Sequence, residues 1–287
     1  MKNDLQKPLI PTGWLRALIY FIIIMFAEFG LHKGGIYLMD VLHWQATNDD
    51  DQLLQLTFTF SINCAAIVLI TLLIRKFIDR KSFLSLGFSF KGYSNEAAIG
   101  FCASAALLGI GTLLLIATGA IFYTGFDFSL SLLSGVVLMI AVAISEEVIF
   151  RGYLLSNLMQ SANRWIALSI SSAIFALVHL GNPGISALAI INIIIAGFLL
   201  GLNYIYTKNL WFSIFFHFSW NYFQGTILGY KVSGLPMSGG LHQMVTGSDV
   251  WTGGSFGFEG SLLCTLLMLV CFFIFMYFFS TRYRQNS

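Results

Sequence analysis

The chain has 287 residues, 57% of them hydrophobic and only 10% charged, with a mean hydropathy of +0.81. These values lie outside the composition of soluble domains and leave a polytopic membrane protein as the class. The net charge of +2 says nothing about nucleic acid, because the basic residues are scattered over many short linkers, and no nucleic-acid partner is expected.

A membrane-spanning helix needs about 20 apolar residues. On that measure the chain holds eight candidates: 14–31, 53–74, 97–123, 130–160, 164–180, 185–206, 210–228 and 261–279. The first follows Pro8 and Pro11 with no A-x-A-like cleavage site, so it reads as a retained helix rather than a removed signal peptide. Linkers are short and turn-like except for the acidic segment 48–51 and the Gly-rich loop 229–260. No repeat or low-complexity stretch interrupts the pattern. The expectation is an all-α, polytopic helical bundle of about eight transmembrane helices, built as one domain over 1–287. Cys64, Cys102, Cys264 and Cys271 all fall inside apolar runs without metal-type spacing, and read as small core or lipid-facing residues.

Basic residues set the orientation. With the N-terminus inside and the spans alternating, all of the 15 basic residues except Lys33 and Lys231 fall on or toward one side. Asp49, Asp50, Asp51, Asp127, Asp249 and Glu259 fall on the other. The chain is thus expected to be multi-pass in the cytoplasmic membrane, with both termini cytoplasmic.

The fourth and fifth candidates carry polar groups that a lipid slab should reject. Ser145-Glu146-Glu147-Val148-Ile149-Phe150-Arg151-Gly152 places two carboxylates and a guanidinium inside an apolar run. One ionisable group there costs between about 2.5 kcal/mol and far more. The first turn signal after it is Ser161-Ala162-Asn163. With a hairpin apex near Ala162, Glu146 and His179 both lie about 24 Å from it on antiparallel neighbours, and so stand level. His217 lies about 12 Å into its own helix. It matches their depth if the hairpin projects beyond the membrane surface, as the polar run 156–164 permits.

Within this set the two glutamates have different prospects. Glu147 is four residues before Arg151, the favourable order for an ion pair on one helix face. Glu146 points about 100° away and is free to face a cavity. Phe175 with His179, and His217 with Asn221, also share faces at a spacing of four. A glutamate with a histidine can position and deprotonate water, while a second histidine and an amide donate hydrogen bonds to an oxyanion. Glu146, His179 and His217 equally have the donor types of a zinc site with an open position for water. Spacing is compatible with both. There is no H-E-x-x-H helix, Asp127 and Asp249 lie outside the spans, and Ser255 sits in a Gly-rich turn.

Glu146-Glu147-x-x-x-Arg151-Gly152, Phe175-x-x-x-His179 and His217-x-x-x-Asn221, in this order, resemble the CPBP family of intramembrane proteases, also called the CAAX-protease or Abi family. The resemblance covers chiefly 130–228, the expected catalytic core. It implies an eight-helix fold and endopeptidase activity on a membrane-associated protein or peptide. It further implies that Glu146 and His179 activate water, that His217 and Asn221 form the oxyanion side, and that Glu147 and Arg151 support them. The family carries both a metalloprotease label and a metal-free glutamate reading, so zinc stays open as a cofactor.

Three polar features stand apart. Glu28 is out of place in the first helix, but nothing in the sequence pairs it with the main site, and it reads as a bond within the bundle or an interfacial group. Asn192 and Asn203 read as bridges between helices. Gly181-Asn182-Pro183-Gly184 reads as a turn just after His179. The rival reading is a non-enzymatic membrane scaffold or bacteriocin-immunity factor that uses the same cavity for binding. A transporter fits less well, because neither an inverted repeat nor paired broken helices are present.

Overall fold

The computed structural model describes residues 7–237 and 240–283. Lys2 and Arg284 of the charge tally lie outside the described residues. Helices α1 (Gly13–Val41), α2 (Asp49–Phe77) and α3 (Ser94–Ala117) lead to strand β1 (Ile121–Phe126). Helix α4 (Ser131–Glu147) continues through a π-helical stretch, Val148–Leu155, into α5 (Ser156–Leu158). Then come α6 (Arg164–Val178), α7 (Ala187–Thr207) and α8 (Trp211–Asn221), the last followed by a second π-helical stretch, Tyr222–Ile227. Strand β2 (Leu241–Val245), the short α9 (Asp249–Thr252) and α10 (Leu262–Arg282) complete the chain. The fold is the expected all-α membrane bundle.

Among the described residues, six helical stretches are long and apolar enough to cross a membrane: Gly13–Val41, Asp50–Phe77, Ser94–Ala117, Ser131–Leu158, Ala187–Thr207 and Leu262–Arg282. The other two expected spans form the shorter helices α6 and α8. Side-chain caps fix several starts. Asn48 accepts the Asp51 N–H at 2.8 Å, Asn163 accepts those of Trp165 and Ile166, and Ser186 and Ser261 cap α7 and α10. Such caps satisfy backbone donors that the first helical turn leaves unpaired.

Two segments depart from the expected pattern. The apolar run 97–123 does not stay helical: α3 ends at Ala117, Gly119 turns the chain at φ 70°, and 121–126 becomes a strand. That strand pairs antiparallel with 241–245 of the Gly-rich loop, from Ile121 opposite Val245 to Phe126 opposite Leu241. An unbroken apolar run does not by itself separate helix from strand; only a distant partner decided it. Helix α1 also runs ten residues past its expected end, to Val41. Its fully buried residues end at Ile24, after which Met25, Ala27 and Leu31 pack on the core only in part.

The core forms where α3 lies along α8, α6 along α7, α2 along α4 and α7 along α10. Gly100 lets α3 approach closely: a Cβ there would sit 2.4 Å from the Phe212 carbonyl oxygen of α8. Asn192 binds α7 to the start of α10, donating to the carbonyls of Glu259 (2.7 Å) and Ser261 (2.9 Å) and accepting from Thr265 (2.6 Å). Asn203 stays closer to home, donating to the Asn209 carbonyl at 2.8 Å across the α7–α8 turn. Near the start of α1, Arg16 and Arg75 are not free surface charges. Both are buried on Asp79, each at 2.9 Å, and Tyr153 of the π-helical stretch donates to the same carboxylate at 3.2 Å. That network ties α1 and α2 to the stretch that carries Arg151.

Candidate active site

Helix α4 ends on the glutamate pair, and the backbone changes there to the wider i→i+5 pattern of a π-helix. Such widened turns recur at functional sites. A second one begins directly after Asn221. Sequence reasoning missed both, since neither has a composition signal that separates it from an ordinary helix.

Glu147 is fully buried, and its Oε1 accepts two hydrogen bonds. One is from Arg151 Nη1 at 2.8 Å, the pair expected from the spacing of four. The other comes from His217 Nδ1 on α8 at 2.9 Å. Arg151, 1% exposed, also donates to the Gly197 carbonyl of α7 at 3.3 Å and lies 4.5 Å over the centre of the Phe175 ring. Glu147 is therefore more than a partner for arginine: it orients a candidate catalytic ring. A carboxylate can only accept here, so His217 Nδ1 carries the proton and Nε2 is the ring's working nitrogen.

Glu146 turns the other way. Its side chain is 26% exposed, and its Oε2 lies 3.8 Å from His217 Nε2, beyond direct hydrogen-bond reach. That oxygen has no hydrogen-bond partner among the described residues. His179 closes α6, where its Nδ1 donates to the Phe175 carbonyl at 2.7 Å. The carbonyl fixes the tautomer, leaving His179 Nε2 with a free lone pair. Phe175 sits among these groups, its ring 4.7 Å from that of His179 and 6.4 Å from that of His217. Asn221 is 5% exposed, and its amide makes no hydrogen bond with a described residue.

Glu146, His179, His217 and Asn221 all line one cavity of about 540 Å³. Its walls are otherwise mostly apolar, with Leu138, Met139, Ile193 and Phe216 among them. The Gly-rich loop covers part of it. There Glu259 accepts from Trp220 Nε1 at 3.0 Å and from the Ser233 N–H at 2.7 Å, and Asn182 donates to the Ser233 carbonyl at 3.0 Å. The segment 181–184 is thus a turn, with Gly184 at φ 71°, pinned to that loop. The carboxylate of Glu259, within that Gly-rich loop, is consumed in holding the loop to α8.

Glu28 is the main correction. It lines the same cavity as Glu146, with which it interacts electrostatically. The signal was present in the cost of a carboxylate in an apolar helix, but no spacing rule links α1 to α4.

The donor set for a metal can be tested directly. Among the described residues no three His, Cys, Asp or Glu side chains gather closely enough to hold an ion. The Nδ1 hydrogen bonds of His217 and His179 leave both Nε2 atoms free, as in metal-ligating histidines. With Glu146, however, they form no three-donor cluster, so the described residues as arranged make no zinc site.

Residues 128–223 match the family model described as Rce1-like, type II CAAX prenyl endopeptidase Rce1-like. The match covers a third of the chain and contains Glu146, Glu147, Arg151, His179, His217 and Asn221, so the resemblance drawn from the three motifs holds over that core. Comparison with curated proteins gives no match, and comparison with solved structures gives none.

Proposed function

We propose that this protein is an intramembrane endopeptidase that hydrolyses a peptide bond of a membrane-associated protein or peptide with water activated by Glu146. The Rce1-like match supports CAAX-type endopeptidase activity in general. The observation that carries the mechanism is the pairing of Glu146 Oε2, unpartnered on a cavity wall, with His217 Nε2 at 3.8 Å.

Glu146 accepts a proton from water, and His179 Nε2 accepts the second water hydrogen bond that aims the oxygen at the scissile carbonyl. The Asn221 amide and His217 Nε2–H donate to the oxyanion as it forms. For that role His217 carries protons on both nitrogens, with Glu147 holding the Nδ1–H and Glu146 lying beside Nε2. Glu146 then passes its proton to the leaving amine, which restores the carboxylate as the C–N bond breaks. Arg151 holds the Glu147 carboxylate in place. No step uses a metal. The charge bias of the linkers supports a site reached from the cytoplasmic membrane, with both termini cytoplasmic.

The test is turnover by purified protein in vesicles. The substrates are a farnesylated CAAX peptide and, in parallel, an unprenylated membrane-anchored peptide, each with a quenched fluorophore. Glu146→Gln should abolish cleavage while the protein melts as wild type does. Cleavage at the wild-type rate in that variant would refute the mechanism. Wild-type function of Glu146→Gln in cells would favour the scaffold or immunity reading.

A further inference from the structure

We propose that the cavity selects a substrate segment carrying a cationic side chain, Lys or Arg, and that Glu28 receives it; the inference rests on the peptidase reading for the cavity's role as a substrate site. Glu28 lies about 22 Å from the start of α1, near the middle of a 29-residue helix. A carboxylate within the apolar run 14–31 carries a desolvation cost unless something compensates it. Among the described residues nothing does: Glu28 makes no hydrogen bond or ion pair with them, and the nearby Lys33 ammonium lies 5.8 Å over Phe29 instead.

The cavity's charge balance points the same way. Three carboxylates line it, those of Glu28, Glu146 and Glu259, and no Lys or Arg appears among the described lining residues. Glu259 is occupied by Trp220 and Ser233. Glu146 lies 3.8 Å from the His217 ring that the mechanism protonates, whereas Glu28 lines the cavity with the like charge of Glu146 acting on it. An occupant with a positive charge relieves Glu28.

The shape of the site favours a side chain over a bare ion. A small cation needs several oxygen ligands, and no three-donor group is present among the described residues. A Lys or Arg needs one carboxylate and apolar walls for its stem, and Met25, Leu56 and Phe60 line the cavity alongside Glu28. Position suits selection as well. Glu28 follows the last buried residue of α1 and is exposed where the bundle covers that helix only in part. A segment entering beside α1 meets Glu28 on its way to Glu146.

The test uses the full chain in phosphatidylcholine vesicles and three fluorescent Leu/Ala peptides of about 20 residues. Each carries one central Lys, norleucine or Glu. The Lys peptide should bind about tenfold tighter than the norleucine peptide, the scale of one charge-assisted hydrogen bond. Glu28→Gln should bring the Lys peptide to the norleucine level without weakening the norleucine peptide, and Glu28→Lys should shift the preference to the Glu peptide. Equal binding of Lys and norleucine peptides by wild type, or a Lys preference that survives Glu28→Gln, overturns the proposal. Cleavage is read in the same vesicles. A Glu28-dependent Lys preference without any cleavage upholds the inference and refutes the peptidase reading. Cleavage with no charge preference refutes the inference alone.

Discussion

Replacing Glu147 with alanine removes the one group that binds both Arg151 and His217. The structure sets the size of the effect. Glu147 is 0% and Arg151 1% exposed, so the guanidinium left behind cannot recruit water. Its remaining contacts are the Gly197 carbonyl at 3.3 Å and the Phe175 ring, neither of which carries a full negative charge. Breaking a buried pair from one side typically destabilises by about 3–5 kcal/mol, because the unpaired charge stays buried. Thermal unfolding of the purified variant in detergent should therefore shift down by several degrees. Glu147→Ala combined with Arg151→Met should recover much of that loss by removing the stranded charge. Activity should behave differently. The double variant still lacks the acceptor for His217 Nδ1, so turnover should stay low in both. Glu147→Ala melting as wild type does would refute the buried-pair reasoning. Recovery of turnover by the double variant would refute the orienting role assigned to Glu147.

Two further outcomes follow from the site. Asn221→Ala should lower kcat by about 10²–10³-fold with little change in KM, the effect of losing one oxyanion donor, and a change confined to KM would remove Asn221 from that role. Because the donors as arranged do not gather around an ion, dialysis of the purified protein against a chelator should leave both turnover and melting unchanged. Loss of activity that zinc restores would show that Glu146, His179 and His217 rearrange into a metal site.

Sequence alone decided the class of the molecule, because a chain this apolar has no other stable solvent than lipid. It located the helical segments to within a few residues at most ends, and it paired Glu147 with Arg151, because both matters depend on periodicity within one helix. It also placed the family resemblance over 130–228, where the Rce1-like model matches 128–223. The bond from His217 to Glu147, the approach of Glu28 to Glu146, the π-helical stretches after Glu147 and after Asn221, and the strand pair between 121–126 and 241–245 came only with the tertiary structure. All but the π-helical stretches join segments whose relative rotation and crossing are set by packing, such as the close approach at Gly100. Local spacing carries no record of those angles.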